Sequence, residues 1–116
     1  MKELSDEMVL RIAERFRGLA DTTRIRILLR LQAGECNVST LTTGLGVAQA
    51  SVSKHLAVLR ALGFVQVRRE GAQAFCSIRD PALPQLCQLM CDGVTRHAQE
   101  QHAALGLPRR SHAGKQ

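Results

Sequence analysis

The sequence lacks residue types and patterns that whole classes of protein need. Tryptophan and tyrosine are absent, and the only phenylalanines among 116 residues are Phe16, Phe64 and Phe75. Modules that bind single-stranded DNA or RNA stack bases on aromatic side chains, and this chain cannot build such a platform. It also has no Cys-x-x-Cys pair, no glycine-rich phosphate loop and no His–acid pair placed near a nucleophile. These absences argue against an enzyme.

Long apolar runs are also missing. The uncharged stretch 37–53 is interrupted by Ser, Thr, Gly and Gln, so we expect no membrane span. The charged N-terminus lacks the apolar run of a secretory signal, which predicts a cytoplasmic protein whose four cysteines are reduced. The length predicts one domain, residues 1–102, followed by a polar, flexible tail over residues 103–116.

Basic charge is concentrated in the middle of the chain. Residues 20–79 carry eight Lys and Arg against three Asp and Glu, whereas the two ends are nearly balanced. This charge distribution is typical of a protein that binds a polyanion. A basic surface that is only solvated would have the same distribution. If the partner is a nucleic acid, the shortage of aromatic residues favours duplex DNA.

Apolar residues recur at helical spacing near both ends of the chain. An amphipathic helix is predicted over residues 5–19, and Asp21 can cap a second helix through Leu31. Asp80-Pro81 can start a last helix to about Gln101. One small domain can hardly bury the apolar stripes of both the first and the last helix, so we expect these helices to hold a homodimer.

The middle of the chain has the pattern of a helix-turn-helix followed by a hairpin. Asn37 can cap a short helix, a glycine-containing turn follows at residues 44–46, and a second helix ends at Gly63. Alternating β-branched residues then predict two strands with a turn at Glu70-Gly71. We therefore predict an α+β, mostly helical fold, a winged helix-turn-helix with a two-stranded β-hairpin as its wing.

Four fragments of the sequence occur in the order of a known family. Ala48-Gln-Ala-Ser-Val-Ser-Lys-His-Leu56 resembles the recognition helix of the ArsR/SmtB family of bacterial repressors. Residues 16–28 are similar to that family's opening signature, residues 58–65 to its helix exit and residues 68–71 to its wing. The resemblance covers about residues 10–95. It implies a winged-helix homodimer that represses transcription until an inducer binds.

The start of the recognition helix supplies most of the candidate DNA contacts. Gln and Ser side chains can read base edges, whereas Lys54 and the N-terminal amides suit phosphates, and arginines near the wing can reach the backbone or the minor groove. His55 is either a DNA contact or part of a hydrogen-bonded corner of the core. The predicted DNA-binding residues are Gln49, Ser51, Ser53, Lys54, His55, Arg68 and Arg69. Ala48 departs from the family, which commonly has a Ser cap there.

Two metal sites known in the family are not carried over to this sequence. In the run Glu35-Cys-Asn-Val-Ser-Thr-Leu41, Asn37 and Ser39 occupy the thiol positions of the family's cadmium or lead site, and Cys36 is displaced by one residue. The zinc site of the last helix lacks all its expected ligands except Asp80. These departures disfavour cadmium, lead and zinc.

Cys87 and Cys91 are the remaining candidate sensor. Residues four apart on a helix are neighbours, so this pair can chelate, and a third sulfur from Cys36 or Cys76 would complete a thiol-only site. We expect a metal site at Cys87, Cys91 and Cys36, no required cofactor, and trivalent arsenic as the inducer. The alternatives are a redox- or persulfide-responsive repressor that uses the same cysteines, or a DNA-binding protein in which they only pack.

Overall fold

The computed structural model describes residues 3–106, which contain five helices and three strands. The helices are α1 (Asp6–Leu19), α2 (Thr22–Leu31), α3 (Val38–Leu45), α4 (Gln49–Ala61) and α5 (Leu83–Ala104). The strands are β1 (Cys36–Asn37), β2 (Val65–Glu70) and β3 (Gln73–Ile78). The winged helix-turn-helix predicted from the sequence is confirmed, because α3, α4 and the β2–β3 hairpin follow one another in that order.

Side-chain caps fix where the first three helices begin. Ser5, Asp21 and Asn37 each accept hydrogen bonds from backbone N–H groups two or three residues further along the chain. Such caps satisfy donors that the first turn of a helix leaves free. Gly46 ends α3 with a φ of 68°, a left-handed conformation that favours glycine. The predicted caps at Asp21 and Asn37 are therefore confirmed.

The sheet has one strand more than the sequence predicted. β1 pairs antiparallel with β3, and β3 pairs antiparallel with β2, which gives the order β1-β3-β2. A two-residue strand has no alternation to detect, so no sequence pattern indicated β1. The hairpin turn also differs, since Glu70 pairs with Gln73 as the last residue of β2 and Gly71-Ala72 makes the turn.

Arg15 joins three parts of the fold. Its guanidinium donates to the carbonyl oxygen of Leu62 at 2.6 Å and to Asp80 Oδ2 at 3.1 Å, and it lies 4.3 Å from the ring centroid of Phe64. Gly18, on the same helix, lies against the Leu62 side chain, and a Cβ there would overlap it. Helix α1 is thus held against the end of α4 and the start of the hairpin.

The start of α5 differs from the prediction at Asp80-Pro81. The N-cap residue is Ala82, without a side-chain cap, and the helix begins at Leu83, with Pro84 in its first turn. The carboxylate of Asp80 instead accepts a hydrogen bond from Arg15. Sequence spacing could not reveal a partner 65 residues away.

The described chain forms two compact units that divide after Pro81. The first holds α1 to β3, and its buried residues are Ile27, Leu28, Leu31, Cys36, Leu41, Val52, Leu56, Leu59, Phe64, Val65 and Cys76. The second contains α5, which runs past the predicted boundary at residue 102 to Ala104. The rest of the predicted tail, from residue 107 onwards, lies outside the described residues. No helix within residues 3–106 is long and apolar enough to span a membrane.

Candidate nucleic-acid interface

Helix α4 has one buried stripe and one exposed polar face. Val52, Leu56 and Leu59 are buried, whereas Gln49 and Lys54 are exposed. Ser53 is exposed as well, and Ser51 and His55 are half-buried. A helix packed through one stripe holds its opposite face at a fixed orientation. The structure therefore brings the predicted contact residues of α4 to the surface at the start of a single helix.

The N-terminus of α4 lacks the side-chain cap that α1, α2 and α3 have. Ala48 occupies the N-cap position with no side-chain hydrogen bond, and its carbonyl oxygen accepts from the N–H groups of Ser51 and Val52 at 3.0 and 3.2 Å. The first turn of α4 also contains no acidic residue. Because the N-terminal end of a helix carries partial positive charge, this end can receive an anion.

His55 lies in the hydrogen-bonded corner that the sequence left as one of two alternatives. Its Nδ1 is 3.2 Å from Arg24 Nη1 and 3.9 Å from Asp21 Oδ1, and its side chain is 19% exposed. A guanidinium only donates, so this contact is a hydrogen bond to Nδ1 in the tautomer whose proton is on Nε2. These contacts join α4 to the start of α2.

Asp21 contributes to that corner as an ionised carboxylate. The hydrogen bond from the Arg24 backbone N–H lowers the pKa of Asp21 below its ordinary value, and the charge of Arg24 acts in the same direction. The same carboxylate accepts from Arg24 N at 3.1 Å as the N-cap of α2. One side chain therefore both starts α2 and faces the histidine of α4.

The two arginines of the wing have different surroundings. Arg68 donates to both oxygens of Glu35 at 2.8 and 3.0 Å and to Glu70 Oε2 at 2.6 Å. Its guanidinium also lies 4.5 Å from the ring centroid of Phe75. Arg69 is exposed and pairs in register with Ala74, one residue along the strand. Arg68 thus has two internal carboxylate partners, a restraint that the sequence motif did not reveal.

Glu35 and Arg68 stabilise each other's charged forms. The side-chain hydrogen bond from Arg68 lowers the pKa of Glu35 below its ordinary value of 4.5, and the hydrogen bond to Glu35 raises the pKa of Arg68 further. Bidentate contacts of this kind are stronger than neutral hydrogen bonds and fix the geometry of both partners. The pair connects the residue before β1 to the middle of β2.

The cysteines form two pairs, one in each compact unit. Cys36 and Cys76 are buried directly opposite each other on β1 and β3. Cys87 and Cys91 lie four residues apart on α5, the first half-buried and the second exposed, and burial raises the pKa of Cys87. Within residues 3–106, no three His, Cys, Asp or Glu side chains lie together as ligands for a metal ion.

Comparison with known proteins identifies the sequence relatives of this chain. The family described as bacterial regulatory protein, arsR family, matches residues 21–67. The chain is 36% identical to the HTH-type transcriptional regulator KmtR of Mycobacterium tuberculosis over 95% of this chain and 80% of KmtR. It is 40% identical to the arsenic resistance transcriptional regulator ArsR1 of Pseudomonas putida over 73% of this chain and 66% of that protein.

A solved structure has the same fold. It is the homodimeric winged helix-turn-helix DNA-binding domain of a possible ArsR-family transcriptional regulator from Mycobacterium bovis, determined by NMR. The two chains are 28% identical, and they align with a TM-score of 0.75 over 88% of this chain and 97% of that domain. The region that matches includes the helix-turn-helix and the wing described above.

Replacing Arg68 by Gln should raise the pKa of Glu35 towards 4.5, because Arg68 is the main cause of its lowering. A carboxyl NMR titration of both proteins measures this shift. A carboxylate with a lowered folded pKa contributes stability that is present above its unfolded pKa and is lost as the pH falls through the folded value. The wild type should therefore lose more stability than the variant below pH 4.5. Arg69→Gln is the matched control, and an unchanged Glu35 pKa in Arg68→Gln would contradict the assignment.

Proposed function

Because the chain belongs to the ArsR/SmtB family of DNA-binding transcriptional regulators, which are not enzymes, we propose that it is a homodimeric repressor released from its operator by a thiol-reactive inducer. The main observation in support of DNA binding is the exposed polar face of α4, which begins at a helix N-terminus without a side-chain cap. We propose duplex operator DNA as the partner, trivalent arsenic as the inducer, and the cytoplasm as the site of action.

The residues of α4 divide between base reading and phosphate contact. Gln49, in the first turn, can pair with a base edge in the major groove, where an amide donates and accepts at once. Ser51 and Ser53 can donate to bases or phosphates beside it. Lys54 is exposed, and its ammonium group is a point charge that lacks the planar, two-pronged donor geometry of arginine. It therefore contributes electrostatic attraction to phosphate. The free amides at the start of α4 suit a second phosphate.

His55 and Arg68 serve DNA binding mainly by positioning other groups. His55 contacts Arg24 and Asp21, so it holds α4 against α2 and is not free to reach into a groove. Arg68 is held by Glu35 and Glu70, and two carboxylates oppose its charge. The exposed wing arginine, Arg69, is the better placed of the two to contact DNA backbone or minor groove.

Apolar side chains that one protomer leaves exposed support the homodimer. On α1, Met8, Val9, Leu10 and Phe16 are exposed, and on α5, Leu89, Met90 and Val94 are exposed. Exposed apolar side chains in such numbers on a helix are typical of interaction sites. A homodimer also has two copies of α4, so each copy can bind one half-site of an operator made of two half-sites. The solved relative described as homodimeric adds support from the same fold.

The Cys87–Cys91 pair is the proposed inducer site. Its sulfurs lie one helical turn apart on α5 and are reachable from solvent, since Cys91 is exposed and Cys87 half-buried. In the proposed site Cys36 supplies the third sulfur. The relative described as an arsenic resistance regulator favours trivalent arsenic over peroxide or polysulfide.

Leu89→Glu should weaken the homodimer roughly tenfold or more, because it places a charge in the proposed apolar interface. Leu89 is 68% exposed in one protomer, so the fold of each chain should survive. Sedimentation equilibrium at micromolar concentration measures the change, with Gln49→Ala as the control. A monomeric wild type, or an unchanged dimer in Leu89→Glu, would count against an interface that includes α5.

Lys54→Ala should weaken binding to all duplexes and reduce the slope of log affinity against log salt by about 1 for each Lys54 that contacts phosphate. Gln49→Ala should instead cost about 1–3 kcal/mol on the operator and little on random DNA, because a base contact carries sequence information. Fluorescence anisotropy with operator and random duplexes over a range of salt concentrations separates the two effects. Equal losses on both duplexes for both variants would refute this division of roles.

Cys87→Ser and Cys91→Ser should leave operator binding intact and remove its release by arsenite. An inducer weakens DNA binding only through its different affinity for two dimer geometries, and coupling of about 1–3 kcal/mol gives a 5- to 150-fold change in affinity. Anisotropy titrations with arsenite, peroxide and polysulfide identify the inducer class. If both variants still release DNA at the wild-type arsenite concentration, Cys87 and Cys91 are packing residues.

A further inference from the structure

The pairing of β1 with β3 places Cys36 and Cys76 beside each other, and neither residue belongs to the Cys87–Cys91 pair on α5. Cys36 and Cys76 are directly opposite in the antiparallel register, so both side chains project from the same face of the sheet. Cys36 is 5% exposed and Cys76 is 0% exposed. The Sγ of Cys76 lies 3.5 Å from the carbonyl oxygen of Cys36. The first compact unit therefore contains a buried pair of thiols on adjacent strands.

The Cys76 thiol is protonated and uncharged in its buried position. Burial raises the pKa of Cys76 to about 11, and the neighbouring Cys36 and Glu35 act in the same direction. A thiol in that state places no charge inside the protein, so Cys76 costs little to bury. An ion that binds both sulfurs as thiolates must displace the two thiol protons. Its own positive charge must then balance the two thiolates.

The number of ligands limits the kind of ion that fits. Within residues 3–106 no third His, Cys, Asp or Glu completes a group with these two sulfurs. Structural zinc takes four ligands, and a trigonal thiol site for arsenic takes three. A site of two thiolates suits a soft ion that prefers two ligands in a line. Directly opposed residues on antiparallel strands have Cβ atoms about 4.5–5.5 Å apart, so two opposed thiolates can bind the same ion.

Because the pair is buried, the charge of the ion must cancel the charge of the two thiolates. Two thiolates around a monovalent ion would leave one net negative charge in an apolar interior, and such a charge is costly. Two thiolates around a divalent ion leave none. Mercuric ion is divalent, soft and two-coordinate with thiolates, so it meets the three requirements of ligand number, ligand type and charge.

We propose that Cys36 and Cys76 form a buried, two-coordinate site for mercuric ion. Each thiol gives up its proton, two sulfur–mercury bonds form, and the bound complex is neutral: two R–SH and Hg²⁺ give R–S–Hg–S–R and two H⁺, with no change of oxidation state. The site uses neither Cys87 nor Cys91 and holds whether or not that pair senses an inducer, but Cys36 cannot belong to it and complete the arsenic site at the same time.

The place of β1 in the sheet provides a route for the ion. β1 is an edge strand of two residues that pairs only with β3, and an edge strand this short makes few backbone hydrogen bonds. Cys36 is the more accessible of the two residues, at 5% exposed against 0% for Cys76, and its Sγ lies 3.5 Å from the Asn37 carbonyl oxygen. Mercuric ion can first bind the sulfur of Cys36 and then form its second bond to the sulfur of Cys76.

The test uses the full chain with Cys87→Ser and Cys91→Ser, in which only the proposed pair of thiols remains. Mercuric chloride is titrated under anaerobic conditions in excess glutathione, which removes weakly held single-thiol adducts. We expect native mass spectrometry to show one mercury per chain with the loss of two protons. We also expect X-ray absorption to show two sulfur ligands, and operator binding is not needed for either measurement.

Cys36→Ala and Cys76→Ala in the same background should each lose stoichiometric mercury, with circular dichroism confirming that they fold. Because Cys76 is fully buried, Cys76→Val is a second variant that keeps the volume if alanine leaves the chain unfolded. The proposal is overturned if the two-thiol chain gives up its mercury to glutathione or binds one ion between two chains. It is also overturned if either alanine variant retains the ion as tightly as its parent.

Discussion

Burial of the apolar stripe on α4 is the constraint on which the rest of the arrangement depends. Val52 and Leu59 are fully buried and Leu56 nearly so, which leaves the helix only one rotation about its axis. That rotation decides that Gln49 and Lys54 are exposed together at the start of the helix. Substituting one stripe residue by alanine would cost about 2–5 kcal/mol, a large share of the stability of a small domain. The buried stripe and the face proposed to read DNA therefore lie on opposite sides of one helix.

Several basic residues of the chain act inside the fold, and the net charge does not show this. Arg15 binds the Leu62 carbonyl oxygen and Asp80, Arg24 binds His55, and Arg68 binds two carboxylates. The net charge of +6 counts all three as if they were available to a polyanion. The positive charge proposed to contact DNA therefore comes from the exposed cations, which include Lys54 and Arg69.

Local signals in the sequence were enough for the helices and the hairpin, whereas contacts distant along the chain were not predictable. Asp21 and Asn37 cap helices because their partners lie within three residues, and such motifs can be read from spacing. Asp80 was predicted to cap α5, but the N-cap residue is Ala82, and Asp80 accepts a hydrogen bond from Arg15, 65 residues away. Arg68 was predicted as a DNA contact, and only the fold reveals that Glu35 restrains it. Likewise, no pattern indicated that a two-residue strand would pair Cys36 with Cys76.

That short strand also has a consequence for the order of folding. The contact between Cys36 and Cys76 closes a loop of 40 residues that contains α3, α4 and β2. The entropy lost on closing such a loop is recovered only when the segments inside it are already packed, and local helices and hairpins form much faster. β1 is therefore among the last elements to join on folding and the first to leave on unfolding, and protection of its backbone amides reports whether the helix-turn-helix beneath it is assembled.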